Sequence, residues 1–191
     1  MPSLHLFTLK PPSTKSFLPD SIQNIYIPNQ KPIPTILSYL TSLPPNDIAC
    51  YLEPHTLYFP NQTTQPNPLL QTFLSLKTHI LFAADTTCHP WDHVTPLYPQ
   101  TLSPYRFLNA SNYIGTVTAL KSILSLDSST SPTEQAFFTY VYINYLHDKT
   151  KPTPYKITLD SNCLIFQTIN QNTQTTQILS IENKLLYNKT E

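Results

Sequence analysis

The sequence predicts an α/β fold: a mostly parallel, twisted sheet with helices on both faces and an antiparallel edge. Short apolar runs alternate with stretches of helical spacing through the first two thirds of the chain, the pattern of a parallel sheet with crossover helices. Further strand-like runs gather near the C-terminus without intervening helices, which suggests the antiparallel edge. The 191 residues suit one domain spanning 1–191, long enough to bury roughly two thirds of the unfolded surface.

Leu4 to Leu9 and Gln23 to Ile27 are apolar runs flanked by prolines and read as strands. Ile33, Ile36, Leu37, Leu40 and Leu43 recur at helical spacing, with Pro32 and Pro34 tolerable in a first turn, so Ile33 to Leu43 reads as an amphipathic helix. Asp47 to Leu52 follows as a buried strand, and Glu53-Pro54-His55 forms a loop at its C-terminal end. Leu69 to Leu76 reads as a helix and Ile80 to Ala84 as a strand ending at Asp85. Thr86 to Arg106, with four prolines and Trp91, has no sustained period and reads as a long functional loop, conceivably a lid. Val117 to Leu126 has helical spacing, and Ser131-Pro132-Thr133-Glu134 opens another helix with Ser131 as N-cap and Glu134 as capping-box glutamate. Tyr155 to Leu159, Leu164 to Ile169 and Gln177 to Ile181 read as strands.

Composition excludes several function classes. One glycine stands against twenty prolines, where average usage would give ~13 glycines. Glycine-loop phosphate sites and the GxSxG nucleophile elbow each need two glycines close together, so none is present in standard form. Lys plus Arg and Asp plus Glu both number 11, which leaves no excess charge for a run of phosphates and argues against nucleic acid as a partner. The N-terminus lacks a signal peptide's positive region, and no window approaches the ~18 apolar residues of a membrane span, so a soluble chain is expected. The three cysteines, Cys50, Cys88 and Cys163, lie far apart without a CxxC pair, which makes a reducing, cytoplasmic compartment the default. Glycosylation triplets at Asn61, Asn109 and Asn188 arise easily in an Asn/Thr-rich chain.

Three constellations carry candidate chemistry. Glu53 and Asp85 fall at C-terminal ends of strands, where ligands bind in such sheets, and with Glu134 at a helix start they can form an acidic cluster for a divalent cation and a polar substrate. Equally, Glu53 reads as a solvated loop residue and Glu134 as a cap. Cys88-His89-Pro90-Trp91-Asp92-His93 packs four potential metal ligands into six residues, although Pro90 prevents a helix and the spacing matches no standard zinc pattern. Trp91 there also offers a stacking surface for a base or sugar ring. His5, His79 and His147 read as structural. Arg106 to Gly115 holds the only arginine and the only glycine, and its polar side chains Asn109, Ser111 and Asn112 can grip hydroxyls; read plainly it is a strand, a turn and a helix cap, with Gly115 supplying backbone freedom.

Arg106-Phe-Leu-Asn-Ala-Ser-Asn-Tyr-Ile-Gly115 resembles the R-F-L-N-S-G-G-F-I-G segment of the glycosyltransferase domain of procollagen lysyl hydroxylases and related collagen-type glycosyltransferases. Ile80 to Asp85 followed by Cys88 and Pro90 looks like that family's V-V-F-S-A-E-x-x-C-W-P, and Thr133-Glu134-Gln135-Ala-Phe-Phe-Thr139 like D-D-Q-L-F-Y-T. Ile157 to Asp160 through Cys163 and Gln167 looks like I-T-L-D-x-x-C-x-I-F-Q, and Gln30-Lys31 like the end of G-G-Q-K. The resemblance covers about 30–167. It implies a GT-A-like, Rossmann-like fold and transfer of a hexose from a UDP-sugar to a hydroxyl acceptor on a glycan or protein, with Mn²⁺ neutralising the diphosphate. It places Asp85 and Glu134 as catalytic residues, Asn109 in the sugar site, Lys31 toward the nucleotide and Glu53 toward the metal; Ser111, Asn112, Trp91 and Gln135 join Asn109 as candidate substrate-binding residues.

The same comparison exposes departures. The family's D-x-x-D metal motif reads Glu53-Pro54-His55-Thr56, so the second carboxylate is missing and His55 stands as the replacement ligand. No counterpart of the family's I-H-G-N histidine follows Gln167, and Ser111 and Asn112 replace the two glycines of S-G-G. The alternative expectation is therefore a catalytically inactive module of this fold that binds a sugar, a nucleotide or a protein. A hydrolase built on the 88–93 cluster is a third.

Overall fold

The computed structural model describes residues 2–8, 23–26, 32–53, 56–58, 68–126, 131–148, 153–170 and 185–189. Its elements in chain order are β1 (Leu4–Thr8), β2 (Gln23–Tyr26), α1 (Pro32–Ser42), β3 (Ile48–Leu52), β4 (Thr56–Tyr58), α2 (Pro68–Ser75), β5 (Ile80–Asp85), a 3₁₀ helix (Asp92–Leu97), β6 (Phe107–Thr116), α3 (Val117–Leu124), α4 (Glu134–His147), β7 (Ile157–Leu159), β8 (Phe166–Asn170) and β9 (Leu185–Lys189). No helix among the described residues is long and apolar enough to cross a membrane.

The main sheet has six strands in the order β2-β1-β3-β6-β5-β7. Five of them run in one direction, and β6 alone is antiparallel, paired with β3 on one side and β5 on the other. The expected α/β class and mostly parallel sheet hold. The antiparallel strand, however, is interior and not at an edge, because the 107–116 segment, read from the sequence as a strand, turn and cap, is one ten-residue strand. Of the C-terminal strands, β7 extends this sheet as a parallel edge beside β5, whereas β8 and β9 pair with β4 in a second sheet of order β4-β9-β8. The strand expected over 177–181 lies outside the described residues.

Alternation along each strand distributes its side chains to two cores. Phe7, Ala49, Tyr51, Ile80, Phe82 and Tyr113 face one side, where Ile33, Ile36 and Leu40 of α1, Val117, Leu120 and Ile123 of α3, and Phe137, Phe138 and Val141 of α4 cover them. Leu6, Ile48, Cys50, Leu81 and Ile114 face the other, covered by Leu69, Leu70 and Phe73 of α2 and by Ile165 and Phe166. Burial on both faces explains why β3 and β5 read as continuous apolar runs. The first core centres on a ring cluster in which Phe138 meets Phe82 at 5.0 Å and Tyr113 at 5.3 Å, and Tyr51 stacks on Tyr113 at 5.1 Å.

Gly115 is required by space and not by backbone freedom. It sits opposite Ala49 and Ile80 in the two flanking strands, and a Cβ there would lie 2.8 Å from the His79 carbonyl oxygen and 3.1 Å from Leu120 Cγ. Among the described residues, two positions that do need the left-handed backbone, Lys77 and Cys163, each at φ 50°, carry side chains. Lys77 follows the end of α2, where its amide bonds the Leu74 carbonyl at 3.4 Å.

Helix α4 begins two residues later than the sequence suggests. Thr133, not Ser131, is its N-cap, with Oγ1 accepting from the Ala136 amide at 3.1 Å. Glu134 is thereby the first helical residue, out of register for a capping box, and its carboxylate is directed elsewhere. The long loop from Thr86 is fastened down. Val94 and Tyr98 are buried in the first core, and His147 Nε2 bonds the Leu97 carbonyl at 2.7 Å. The Arg106 guanidinium gathers three carbonyls, from Pro99 at 2.9 Å, Tyr98 at 2.8 Å and Thr95 at 3.0 Å. A lysine cannot reproduce that fork, so Arg106→Lys is expected to cost ~1–2 kcal/mol and to speed amide exchange across 92–99; unaltered exchange there would contradict the assignment.

His5 and His79, like His147, hold structural contacts. His5 Nε2 lies 2.8 Å from Asp47 Oδ2 at the far end of the sheet, and His79 Nδ1 accepts from the Lys156 amide at 3.0 Å.

Candidate functional site

Strand β6 is continuous with β3 as far as Leu52 opposite Asn112, but its register against β5 jumps between Phe82, opposite Tyr113, and Ala83, opposite Asn109. Residues 110–112 have no β5 partner and bulge out between two paired stretches, beside the C-terminal half of β5, the end of the strand at which ligands bind in such sheets. Polar side chains complete the interrupted backbone. The Ser111 amide donates to Asn109 Oδ1 at 2.9 Å, and the Ala110 amide to Gln135 Oε1 at 2.8 Å. This local demand explains the run of amide and hydroxyl side chains in 109–112, which in an unbroken strand would be costly to bury.

Beside the break is a cavity of about 140 Å³, partly open to solvent, lined by Asp85, Thr87, His89, Leu108, Asn109, Ser111 and Gln135. Asp85, at the end of β5, is only 3% exposed. Its Oδ1 accepts from the amides of Thr86 at 2.6 Å and Thr87 at 3.3 Å and from both threonine hydroxyls. Asn109 is buried; its Nδ2 donates to Thr168 Oγ1 at 3.0 Å, and that hydroxyl donates to the Ala84 carbonyl at 2.9 Å, tying β5, β6 and β8 under the cavity floor. An Asn109 so engaged is not presented as a glycan acceptor. Among the described residues, no lysine or arginine lines the cavity. Its hydroxyl, amide, imidazole and carboxylate groups suit a neutral polyhydroxyl ligand better than an anion.

A second acidic group lies outside this lining. Glu134, half-buried at the start of α4, accepts from the Ile33 amide of α1 at 3.4 Å. Burial pushes its carboxyl up to about 7; the Ile33 amide opposes this and the nearby Glu53 charge adds to it. The folded state therefore holds this proton more tightly than the unfolded chain does. The stability it contributes is fully present below the ordinary value of 4.5 and is lost as pH rises to about 7. Glu134→Gln is expected to gain ~2 kcal/mol over the parent at pH 8 and nothing at pH 4, measured as the difference in urea midpoints. A difference independent of pH would refute the assignment.

The structure gathers Asp85, Asn109, Ser111 and Gln135 at one cavity and sets Glu53 near Glu134 beside it. Asn112 is fully buried, with Oδ1 accepting from the Glu53 amide at 3.2 Å, so it holds the end of β3 and does not face the cavity. Trp91 lies outside the cavity lining: it packs partly against the first core, its ring 6.4 Å from that of His93. Lys31 and His55 lie outside the described residues. Among the described residues, no three His, Cys, Asp or Glu side chains come together as a metal cage, neither at Glu53 and Glu134 nor in 88–93. In the latter, burial raises the Cys88 thiol's pKa, and its sulfur donates to the Trp91 carbonyl at 3.4 Å. Sequence reasoning missed Thr87 and Thr168, and it read His89 as part of the 88–93 cluster and not as a residue of this cavity. For His89 the signal was present in its place four residues after Asp85, whereas Thr168 comes from a distant strand that only the fold brings near.

A family model described as the PLOD GT domain matches residues 57–191. The chain is 31% identical over 119 residues to mouse procollagen-lysine,2-oxoglutarate 5-dioxygenase 2, which covers 62% of this chain and 16% of that protein. It is 32% identical over 106 residues to the human protein of the same name, 55% of this chain and 14% of that one. To the rat multifunctional procollagen lysine hydroxylase and glycosyltransferase LH3 it is 29% identical over 109 residues, 56% of this chain and 14% of the relative.

Proposed function

Because this chain belongs to the PLOD GT domain family, and so is glycosyltransferase-like at the level of that family, we propose that it transfers a hexose from a UDP-sugar to a hydroxyl on a glycan or protein, acting as one domain. The observation that carries this reading is the cavity at the end of β5, whose lining among the described residues, mostly uncharged polar groups with Asp85 as its carboxylate, fits a sugar ring. Asn109 and Ser111 supply amide and hydroxyl groups to sugar hydroxyls, Asp85 accepts from a reacting hydroxyl, and Lys31 meets the nucleotide. Glu134, beside Glu53, adds the second acid.

A Mn²⁺ ion is the family expectation. The described donors do not suffice for it: two carboxylates, Glu53 and Glu134, stand where a hard divalent cation takes about six oxygens. No step is derived through the metal. The alternative of an inactive binding module draws support from the shortage of metal donors and from the backbone amides that Asp85 already caps.

Calorimetric titration with UDP and UDP-hexoses, with and without Mn²⁺, followed by a turnover assay, separates the readings. Binding with turnover supports transfer, binding without turnover supports the module, and no nucleotide binding at all defeats the transferase reading. Asp85→Asn keeps the oxygen on which the threonine bonds converge and removes the charge. It is expected to lower turnover by ~100-fold at an unchanged melting temperature; equal losses of turnover and stability would make Asp85 merely structural.

A further inference from the structure

Gln135 was expected to touch substrate, but its amide nitrogen and its oxygen are both already engaged. Nε2 donates to the Leu108 carbonyl at 2.8 Å and to the His89 carbonyl at 3.1 Å, with Thr139 Oγ1 at 3.3 Å, while Oε1 accepts from the Ala110 amide at 2.8 Å. A primary amide has two hydrogens, and two backbone carbonyls use them. The Ala110 contact stands in for the β5 partner that residues 110–112 lack, and the Leu108 contact holds the paired stretch next to them. The His89 contact ties the loop that forms one wall of the cavity to the strand that forms the other.

We infer that Gln135 is a positioning residue that joins the two walls of the cavity, setting the spacing between His89 on the loop and Asn109 and Ser111 on β6. It acts through those residues and not by contact with the sugar. The functional half of this inference rests on the hexose-transfer reading; the structural half does not. Gln135 is well placed for the task, because it occupies the first turn of α4, whose following residues Phe137 and Phe138 are locked in the first core. A side chain on so fixed a base loses little further freedom in bridging two less regular segments.

The test uses Gln135→Met, which keeps the length and removes every hydrogen bond, with Gln135→Ala as a second variant. In both, the Ala110 amide is expected to exchange at least ~10-fold faster, while the amides of Thr116 and Val117, bonded to the His79 and Asp47 carbonyls, keep their rates. For UDP-hexose turnover, kcat is expected to fall at least ~10-fold with KM within about twofold, since geometry and not ground-state binding is lost. Unchanged exchange at Ala110 overturns the bridge. A raised KM at unchanged kcat overturns the positioning role in favour of direct contact with substrate. If the unsubstituted protein turns over no UDP-hexose, the transfer reading fails, and the exchange rates still decide whether Gln135 holds the walls.

Discussion

Asp160→Ala is expected to destabilise the fold by ~4 kcal/mol, read as a lower urea midpoint at unchanged slope. Asp160 is 3% exposed, and its carboxylate receives three consecutive backbone amides: Leu164 at 2.8 Å on Oδ1, and Ile165 at 2.6 Å and Phe166 at 2.7 Å on Oδ2. Its own amide bonds the Phe82 carbonyl of β5 at 2.9 Å, so one residue fixes the turn to the sheet and the following segment to the turn. Alanine leaves three donors without this acceptor, two of them fully buried, and each costs ~1–3 kcal/mol. The damage reaches the cavity, because Ile165 and Phe166 anchor in the second core and Thr168 beyond them bonds Asn109. Asparagine should recover less than half of the loss, since its amide nitrogen faces donors that need an acceptor. A loss below ~1 kcal/mol for Asp160→Ala would show that water replaces the carboxylate.

Gly115→Ala is expected to cost ~3 kcal/mol despite adding a single methyl group. The added carbon would meet the His79 carbonyl at 2.8 Å, and that oxygen already accepts from the Thr116 amide at 3.0 Å. Neither strand can yield without loosening the β5 to β6 pairing, and the side chains of Leu120 and Ile80 close the remaining space at 3.1 and 3.2 Å. Thermal unfolding measures the effect. A neutral outcome would mean that the strands spread there at no cost, and the reading of Gly115 as a close-approach residue would fail.

The helices and the parallel strands were legible because their patterns are short-range. The apolar spacing of α1 and α3 and the double-sided burial of β3 and β5 are written in neighbouring residues. Strand β6 was not legible as a single element, because Asn109, Ser111 and Asn112 break its alternation. Those residues are polar for a reason that only the fold supplies: two of them satisfy backbone amides at the break and at the end of β3. The start of β8 was misjudged on similar grounds. Leu164 and Ile165 carry strand-like side chains, but their amides are held by Asp160, and pairing begins only at Phe166. Asp85 was found from its place at the end of an apolar strand, whereas the bridging by Gln135 depends on three segments far apart in sequence.

The two left-handed residues give the molecule room for improvement by protein engineering. Lys77 and Cys163 each hold φ 50° without the residue that adopts it most cheaply. Glycine at Lys77, an exposed position just past α2, should relieve backbone strain without disturbing either core. The chain thus keeps its sole glycine where a neighbouring strand forbids any side chain and leaves its backbone turns to residues that tolerate them less well. A sturdier form for crystallisation or ligand screening can be sought at position 77, which is not among the residues that line the cavity.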